Sequence, residues 1–200
     1  MKYEQLSHRN QLNSGDFTMS GATKNYAPDL KLEPIHTEIH LNVDIESKSA
    51  RGYAMITLRA NVAGSHSLAL DAVDFDDLMV QGRNGTAVDY RYDDKIITLD
   101  FENEFKAGEA CTVRIDYAIQ DPISGLSFAQ PDAARPDFPL YAITDNETER
   151  ARYWFPCVDF PTIRSKMDYY LTAKAELTIL ANGALVSEET KDGMKTAHWK

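Results

Sequence analysis

Pro34-Ile35-His36-Thr37-Glu38-Ile39-His40-Leu41-Asn42-Val43-Asp44-Ile45-Glu46 alternates in character along its whole length. Ile35, Thr37, Ile39, Leu41, Val43 and Ile45 fall on one side, and His36, Glu38, His40, Asn42, Asp44 and Glu46 on the other. A strand turns successive side chains to opposite faces, so its repeat is two, whereas a helical stripe would recur about every 3.6 residues. The segment predicts a long strand with one face in a core and the other in water.

The same alternation recurs on both sides of this stretch. Ala54, Ile56 and Leu58 oppose Tyr53, Met55 and Thr57; Ile97, Leu99 and Phe101 oppose Ile96, Thr98 and Asp100. Cys111, Val113, Ile115, Tyr117 and Ile119 oppose Thr112, Arg114, Asp116 and Ala118. Leu68 and Leu70 open a shorter strand, and Val88 to Tyr92 suggests another. Asn84-Gly85 and Asp192-Gly193 are dipeptides suited to tight hairpins, because both residues tolerate the left-handed backbone such turns need. Between Asp121 and Pro161 six prolines break the rhythm, which predicts a long irregular segment that wraps the core or carries function. Strands are expected to resume at Met167 to Ala173, at Leu177 to Leu180 and from Thr196. The fold class is all-β, an antiparallel β-sandwich or curved sheet, with strands near 35–46, 52–60, 96–101, 111–119 and 167–173.

Residues 1–27 are polar and aperiodic and read as a flexible leader; residues 28–200 read as one β-domain. The closing Thr196-Ala-His-Trp-Lys200 looks like the start of a return strand, so the domain is expected to be truncated at this end.

The net charge of -10 argues against nucleic acid as a partner, since phosphate binding needs clustered Lys and Arg. No run approaches the roughly 18 apolar residues of a membrane span. The opening residues lack the apolar core of an export signal, so the expected location is the cytoplasm. Cys111 and Cys157 are then expected to be reduced, and Asn84-Gly-Thr86 and Asn146-Glu-Thr148 to match the glycosylation pattern by chance.

His36-Thr-Glu38-Ile-His40 invites comparison with the zinc-binding pattern His-Glu-x-x-His, but that pattern works on a helix with Glu beside the first His. On a strand, residues four apart are separated by about 13 Å and cannot share an ion. An exposed polar face is the better account. His8, His66 and His198 stand alone, and no Gly-x-Ser-x-Gly elbow occurs. Asp74, Asp76 and Asp77 lack the glycine and distal Glu of a calcium loop and read as a solvated acidic turn. The residues alone give no catalytic site and no metal site.

One segment is more specific. Thr144-Asp-Asn-Glu147-Thr-Glu-Arg-Ala-Arg152-Tyr-Trp-Phe-Pro156-Cys157-Val-Asp159-Phe-Pro161 resembles the motif of M1 zinc aminopeptidase N-terminal domains, roughly T-Q-x-E-x-x-x-A-R-x-x-F-P-C-x-D-x-P. Ser124-Gly-Leu-Ser-Phe128 is similar to the family's Gly-Leu-Tyr-Phe element, and residues 34–58 and 167–186 resemble its flanking strands. The resemblance implies a saddle-shaped β-domain that packs against a zinc-bearing catalytic domain of the same parent chain. Zinc is then expected in the parent's catalytic domain, with no cofactor in this chain.

In that family a Gln-x-Glu pair on the loop before the motif helps hold the substrate's free α-amino group. By position the Glu falls on Glu147 and the Gln on Asp145, which makes both candidate substrate-binding residues for a peptide N-terminus. Asp145 is shorter than Gln and charged, a departure from the pattern. Trp154, Phe155 and Pro156 are expected as core, Cys157 as a small buried hydrophobe, and Arg152 and Asp159 as an internal ion pair.

Two other functions remain open at this point. The Arg-Tyr-Trp-Phe-Pro-Cys-Val-Asp run also resembles the non-catalytic M1-like subunit of a general transcription factor, which implies a scaffold. A free-standing sandwich that binds carbohydrate or protein would need an exposed aromatic platform, for which Tyr90, Tyr92, Tyr169 and Tyr170 are candidates.

Overall fold

The computed structural model describes residue 28 and residues 30–200; the expected leader, with His8, lies outside the described residues. The strands are β1 (Leu32–Asp44), β2 (Ser49–Ala60), β3 (Ser65–Asp71), β4 (Asp76–Gly82), β5 (Val88–Tyr92) and β6 (Ile96–Phe105). They continue with β7 (Ala110–Gln120), β8 (Leu126–Ala129), β9 (Tyr141–Thr144), β10 (Lys166–Lys174), β11 (Leu185–Lys191) and β12 (Met194–Trp199). The only helical element among the described residues is one 3-10 turn, Ala151–Tyr153.

Seven strands form the main sheet in the order β11-β12-β10-β1-β2-β7-β4, three form a second sheet β3-β6-β5, and β8-β9 make a short ribbon. The alternating residues meet where their phase directs them. Ile39 and Leu41 of β1, Ala54, Ile56 and Leu58 of β2, and Val113, Ile115 and Tyr117 of β7 are buried on the inner face of the main sheet. Leu68, Leu70, Ile97, Leu99 and Phe101 face them from the second sheet, and all belong to one apolar cluster. The fold is the expected all-β sandwich.

Four details differ from the expectation. At Pro34 the β1–β2 register shifts, so Pro34 rather than Ile35 turns inward; a residue with no N–H to offer the ladder is accommodated at such a bulge. Strand β10 runs parallel to β1, with Thr37 opposite Met167 and Asn42 opposite Thr172, so the sheet is not antiparallel throughout. Leu177 to Leu180 is a bend followed by irregular backbone, not a strand. On the side away from β10, β12 pairs instead with β11, whose seven residues are all exposed and so carry no alternation to read. Asp192 and Gly193, with φ of 50° and 76°, do close that hairpin. Asn84 and Gly85 take the same backbone but carry the chain from β4 in one sheet to β5 in the other.

The outer face of the main sheet is polar, as expected of His36, Glu38 and His40, but it is half-buried and ordered. A row of planar groups crosses five strands: Arg114 over the Tyr53 ring at 3.6 Å, Tyr53 on His40 at 4.3 Å, His40 on Tyr170 at 4.2 Å, Tyr170 on His198 at 4.0 Å. Beside this row Asp168 is only 3% exposed. Its carboxylate accepts hydrogen bonds from His36 Nε2 (2.7 Å) and His198 Nε2 (2.6 Å), with Lys200 Nζ at 3.4 Å. Burial alone would raise this carboxyl, but the His198 and His36 bonds and the Lys200 charge outweigh it and hold the group at about 2.

A carboxyl held below its unfolded value of 3.8 stabilises the fold fully above that pH, and the contribution is lost as pH falls towards 2. Urea unfolding at pH 5 and at pH 2.5 should therefore show a stability advantage of the native chain over Asp168→Asn that shrinks by about 2 kcal/mol at the lower pH. An advantage that is the same at both values would mean that Asp168 is not tied as described.

Tyr92 and Tyr169 pack against the core, while Tyr90 is 38% exposed. The Tyr92 hydroxyl accepts the Phe75 N–H at 2.7 Å, and Tyr90 donates to the Leu78 carbonyl at 3.1 Å.

Candidate functional site

The segment between β7 and β10 returns to the end of β3, where Cys157 bridges Asp71 and the Val73 N–H donates to the Arg152 carbonyl. Its anchor is Arg152, which the 3-10 turn aims at three carboxylates. Arg152 Nε lies 3.0 Å from Asp159 Oδ2, Nη1 3.2 Å from Asp71 Oδ1, and Nη2 3.4 Å from Glu149 Oε2. The Arg152–Asp159 pair is the one expected; Asp71, at the end of β3, is additional. Asp71 also accepts the Asp159 N–H at 3.0 Å, and its backbone bridges to Cys157. Trp154 and Phe155 are buried as expected, and Pro156 is among the most buried residues. Cys157 is only of intermediate exposure, although burial pushes its thiol well above the usual range.

Upstream of this anchor, residues 145–150 form a loop at the surface. The Asp145 N–H donates to the Gly125 carbonyl at 2.9 Å, which ties the loop to the start of β8. Gly125 has φ of +77°, and a Cβ there would lie 2.1 Å from the Arg150 carbonyl oxygen, so only glycine allows this approach. Trp154 Nε1 donates to Asn146 Oδ1 at 2.8 Å, and the Arg150 N–H reaches the Asn146 carbonyl at 3.3 Å. The Glu147–Thr148 peptide is cis.

The two candidate residues thus share one loop but differ in their engagements. Asp145 accepts the Glu147 N–H at 3.1 Å and pairs with Arg150 Nη1 at 2.7 Å, so its carboxylate shapes the loop. Glu147 is exposed, and its carboxylate has no partner among the described residues. It stands at the rim of an open depression of about 580 Å³, with Phe155, Phe160, Arg164 and Tyr169 among its walls. On the other side of Asn146 runs a groove of about 620 Å³ lined by Leu41, Leu126, Ile143, Trp154, Leu171 and Leu180. Ile143 and Leu180, at 59% and 74% exposed, stand open to water on its lip. This trough is mainly apolar, with Thr144, Asn146, Thr172, Thr178 and Asn182 also in its walls.

The described residues offer zinc no ligand set. Among the described residues no group of three or more His, Cys, Asp or Glu could hold a metal ion. Cys111 is buried, and burial pushes its thiol up to about 11, far from a metal-binding thiolate. No helix among the described residues is long and apolar enough to cross a membrane.

The sequence matches the model of the peptidase M1 N-terminal domain over residues 33–200, and the chain belongs to that family. It is 27% identical over 173 residues to aminopeptidase M1-C of Oryza sativa subsp. japonica, covering 84% of this chain and 19% of that protein. It is 28% identical over 167 residues to leucine aminopeptidase 2-1 of Scheffersomyces stipitis, covering 80% of this chain and 24% of that protein. The chain thus spans about a fifth to a quarter of the length of these relatives. Its fold matches the crystal structure of an M1 zinc metallopeptidase from Deinococcus radiodurans with a TM-score of 0.68 at 20% identity, over 84% of this chain and 38% of that one.

Proposed function

We propose that this chain is the N-terminal substrate-anchoring domain of a zinc aminopeptidase that removes N-terminal residues from peptides. The observation that carries this reading is the unpaired Glu147 carboxylate, at the family motif's acidic position and beside the apolar trough. A carboxylate shielded by a covering domain gives a substrate ammonium a charge-assisted hydrogen bond, stronger than it would be in open water. That contact rewards a free α-amino group and restricts cleavage to the end of the chain. Asp145 shapes the loop that presents Glu147, and its own carboxylate, held by Arg150, flanks the same ammonium.

The partner that covers the trough is the catalytic domain of the same parent chain, and zinc would be held by that domain's residues, where it would supply Lewis-acid chemistry. The net charge of -10 suits a peptide N-terminus as ligand and not nucleic acid. The two free cysteines suit a reducing cytoplasm. A non-catalytic scaffold would use the trough equally well, but it gives the unpaired Glu147 no role.

The chain by itself is expected to retain no stoichiometric zinc after dialysis and to hydrolyse no aminoacyl substrate. Joined to its catalytic domain it should favour peptides with a free N-terminus over N-acetylated ones. Chelator-sensitive hydrolysis by the chain alone would overturn the assignment, and so would an assembled enzyme that cleaves both kinds of peptide equally.

A further inference from the structure

The Glu147 loop is held at Asp145 by contacts of the surface: a backbone bond to Gly125 and the exposed pair with Arg150. At Asn146 it is held by something different. Trp154 Nε1–H reaches Asn146 Oδ1 at 2.8 Å, and this is a tie between the loop and the core itself. Trp154 is 6% exposed, and its ring packs edge-on against Phe155 at 4.6 Å. Its carbonyl accepts the hydroxyl of fully buried Tyr117 at 3.1 Å, and Tyr117 in turn stacks on Phe75 at 4.7 Å. An indole N–H is a donor only, and a buried one seeks an acceptor. Asn146 supplies it, and the next residue is Glu147.

We infer that Asn146 and Trp154 form a clamp that positions Glu147 for the substrate's α-ammonium, so that both are positioning residues for peptide binding. This inference rests on the proposed role of Glu147. The clamp transmits the rigidity of the sandwich to one peptide unit of an otherwise exposed loop. Neither side chain needs to touch the substrate. Placement of this kind matters because a shift of about 1 Å in a binding group can cost up to about a hundredfold in rate.

The test uses the assembled aminopeptidase and measures kcat/KM on a free peptide and on its N-acetyl counterpart for four variants. Glu147→Ala reads the anchoring role itself. Asn146→Ala removes the acceptor, Trp154→Phe removes the donor and keeps the ring, and Asn146→Asp keeps an acceptor oxygen. Asn146→Ala and Trp154→Phe should each lower kcat/KM on the free peptide about tenfold, mainly through KM, and barely change it on the acetylated one. The double variant Asn146→Ala/Trp154→Phe should be no worse than either single one, because the two side chains make one interaction. Asn146→Asp should recover most of the loss.

If Glu147→Ala is selective for the free peptide while the clamp variants are silent or lose on both substrates alike, the clamp is refuted and the anchoring role stands. If Glu147→Ala shows no selectivity, the anchoring role fails and the clamp falls with it. Equal losses in the single variants that add in the double one would also refute the clamp.

Discussion

Glu147→Ala, made in the proposed parent aminopeptidase, should remove about 2–5 kcal/mol of transition-state stabilisation on peptides with a free N-terminus, measured as the fall in kcat/KM. The size follows from the environment expected around the carboxylate. In the open domain Glu147 is solvated, but against a covering domain its pairing with an ammonium is desolvated, and truncating one partner leaves the other charge buried alone. The folded domain should hardly register the change. Glu147 is exposed and its carboxylate holds no other described residue, so the unfolding free energy should stay within about 0.5 kcal/mol of the native value. Unchanged kinetics would make the loop a solvated acidic turn.

Arg152→Ala should have the opposite profile, a large loss of stability with any kinetic effect secondary to it. Its guanidinium separates Asp71, Asp159 and Glu149, and the Asp71 and Asp159 carboxylates are themselves linked through the Asp159 N–H. Removing the cation leaves these acidic groups facing one another in a site where the Asp159 side chain is 10% exposed. A fully buried pair broken in this way costs about 3–5 kcal/mol; with Arg152 itself 24% exposed, about 2–4 kcal/mol is expected in urea unfolding. Asp71→Asn in the Arg152→Ala background should recover part of the loss by removing one uncompensated charge. A loss below about 1 kcal/mol, with no recovery, would show that water screens the cluster and that the segment is held by its apolar residues alone.

The inner faces of β1, β2, β6 and β7 could be read from the sequence because each buries alternate residues on one side, and burial is what imposes the period. Where no burial is imposed the pattern is silent. All of β11 is exposed, so its strand left no mark, while Leu177 to Leu180 looked like a strand for being apolar yet supplies part of the trough wall. Direction is equally invisible, because side chains alternate in parallel and antiparallel strands alike; the β1–β10 pairing depends on a crossover through residues 121–165. Asp168 sits on a readable strand, but its burial comes from His36, 132 residues away, and His198, 30 residues away.

The site divides along the same line. Arg152 and Asp159 are seven residues apart and their opposite charges suggested a pair, whereas Asp71 lies 88 residues from Asp159 and nothing local points to it. Glu147 was singled out only by the motif around it, since an isolated Glu in an acidic loop carries no chemical signature. Asp145 was placed beside it by the same motif, and the structure adds that Arg150 already holds its carboxylate. The Trp154–Asn146 bond had no local sign either: a Trp and an Asn eight residues apart are ordinary until the fold brings the indole N–H to the amide oxygen.

The central claim is that Glu147 holds the free amino end of a peptide, and the ratio of kcat/KM between a free peptide and its N-acetyl form tests it most directly. In the native enzyme the ratio should strongly favour the free peptide, and Glu147→Ala should reduce it by the whole of its effect on the free substrate, about 2–5 kcal/mol. A Glu147→Ala enzyme that loses equally on both peptides, so that the ratio stays at its native value, would contradict the account.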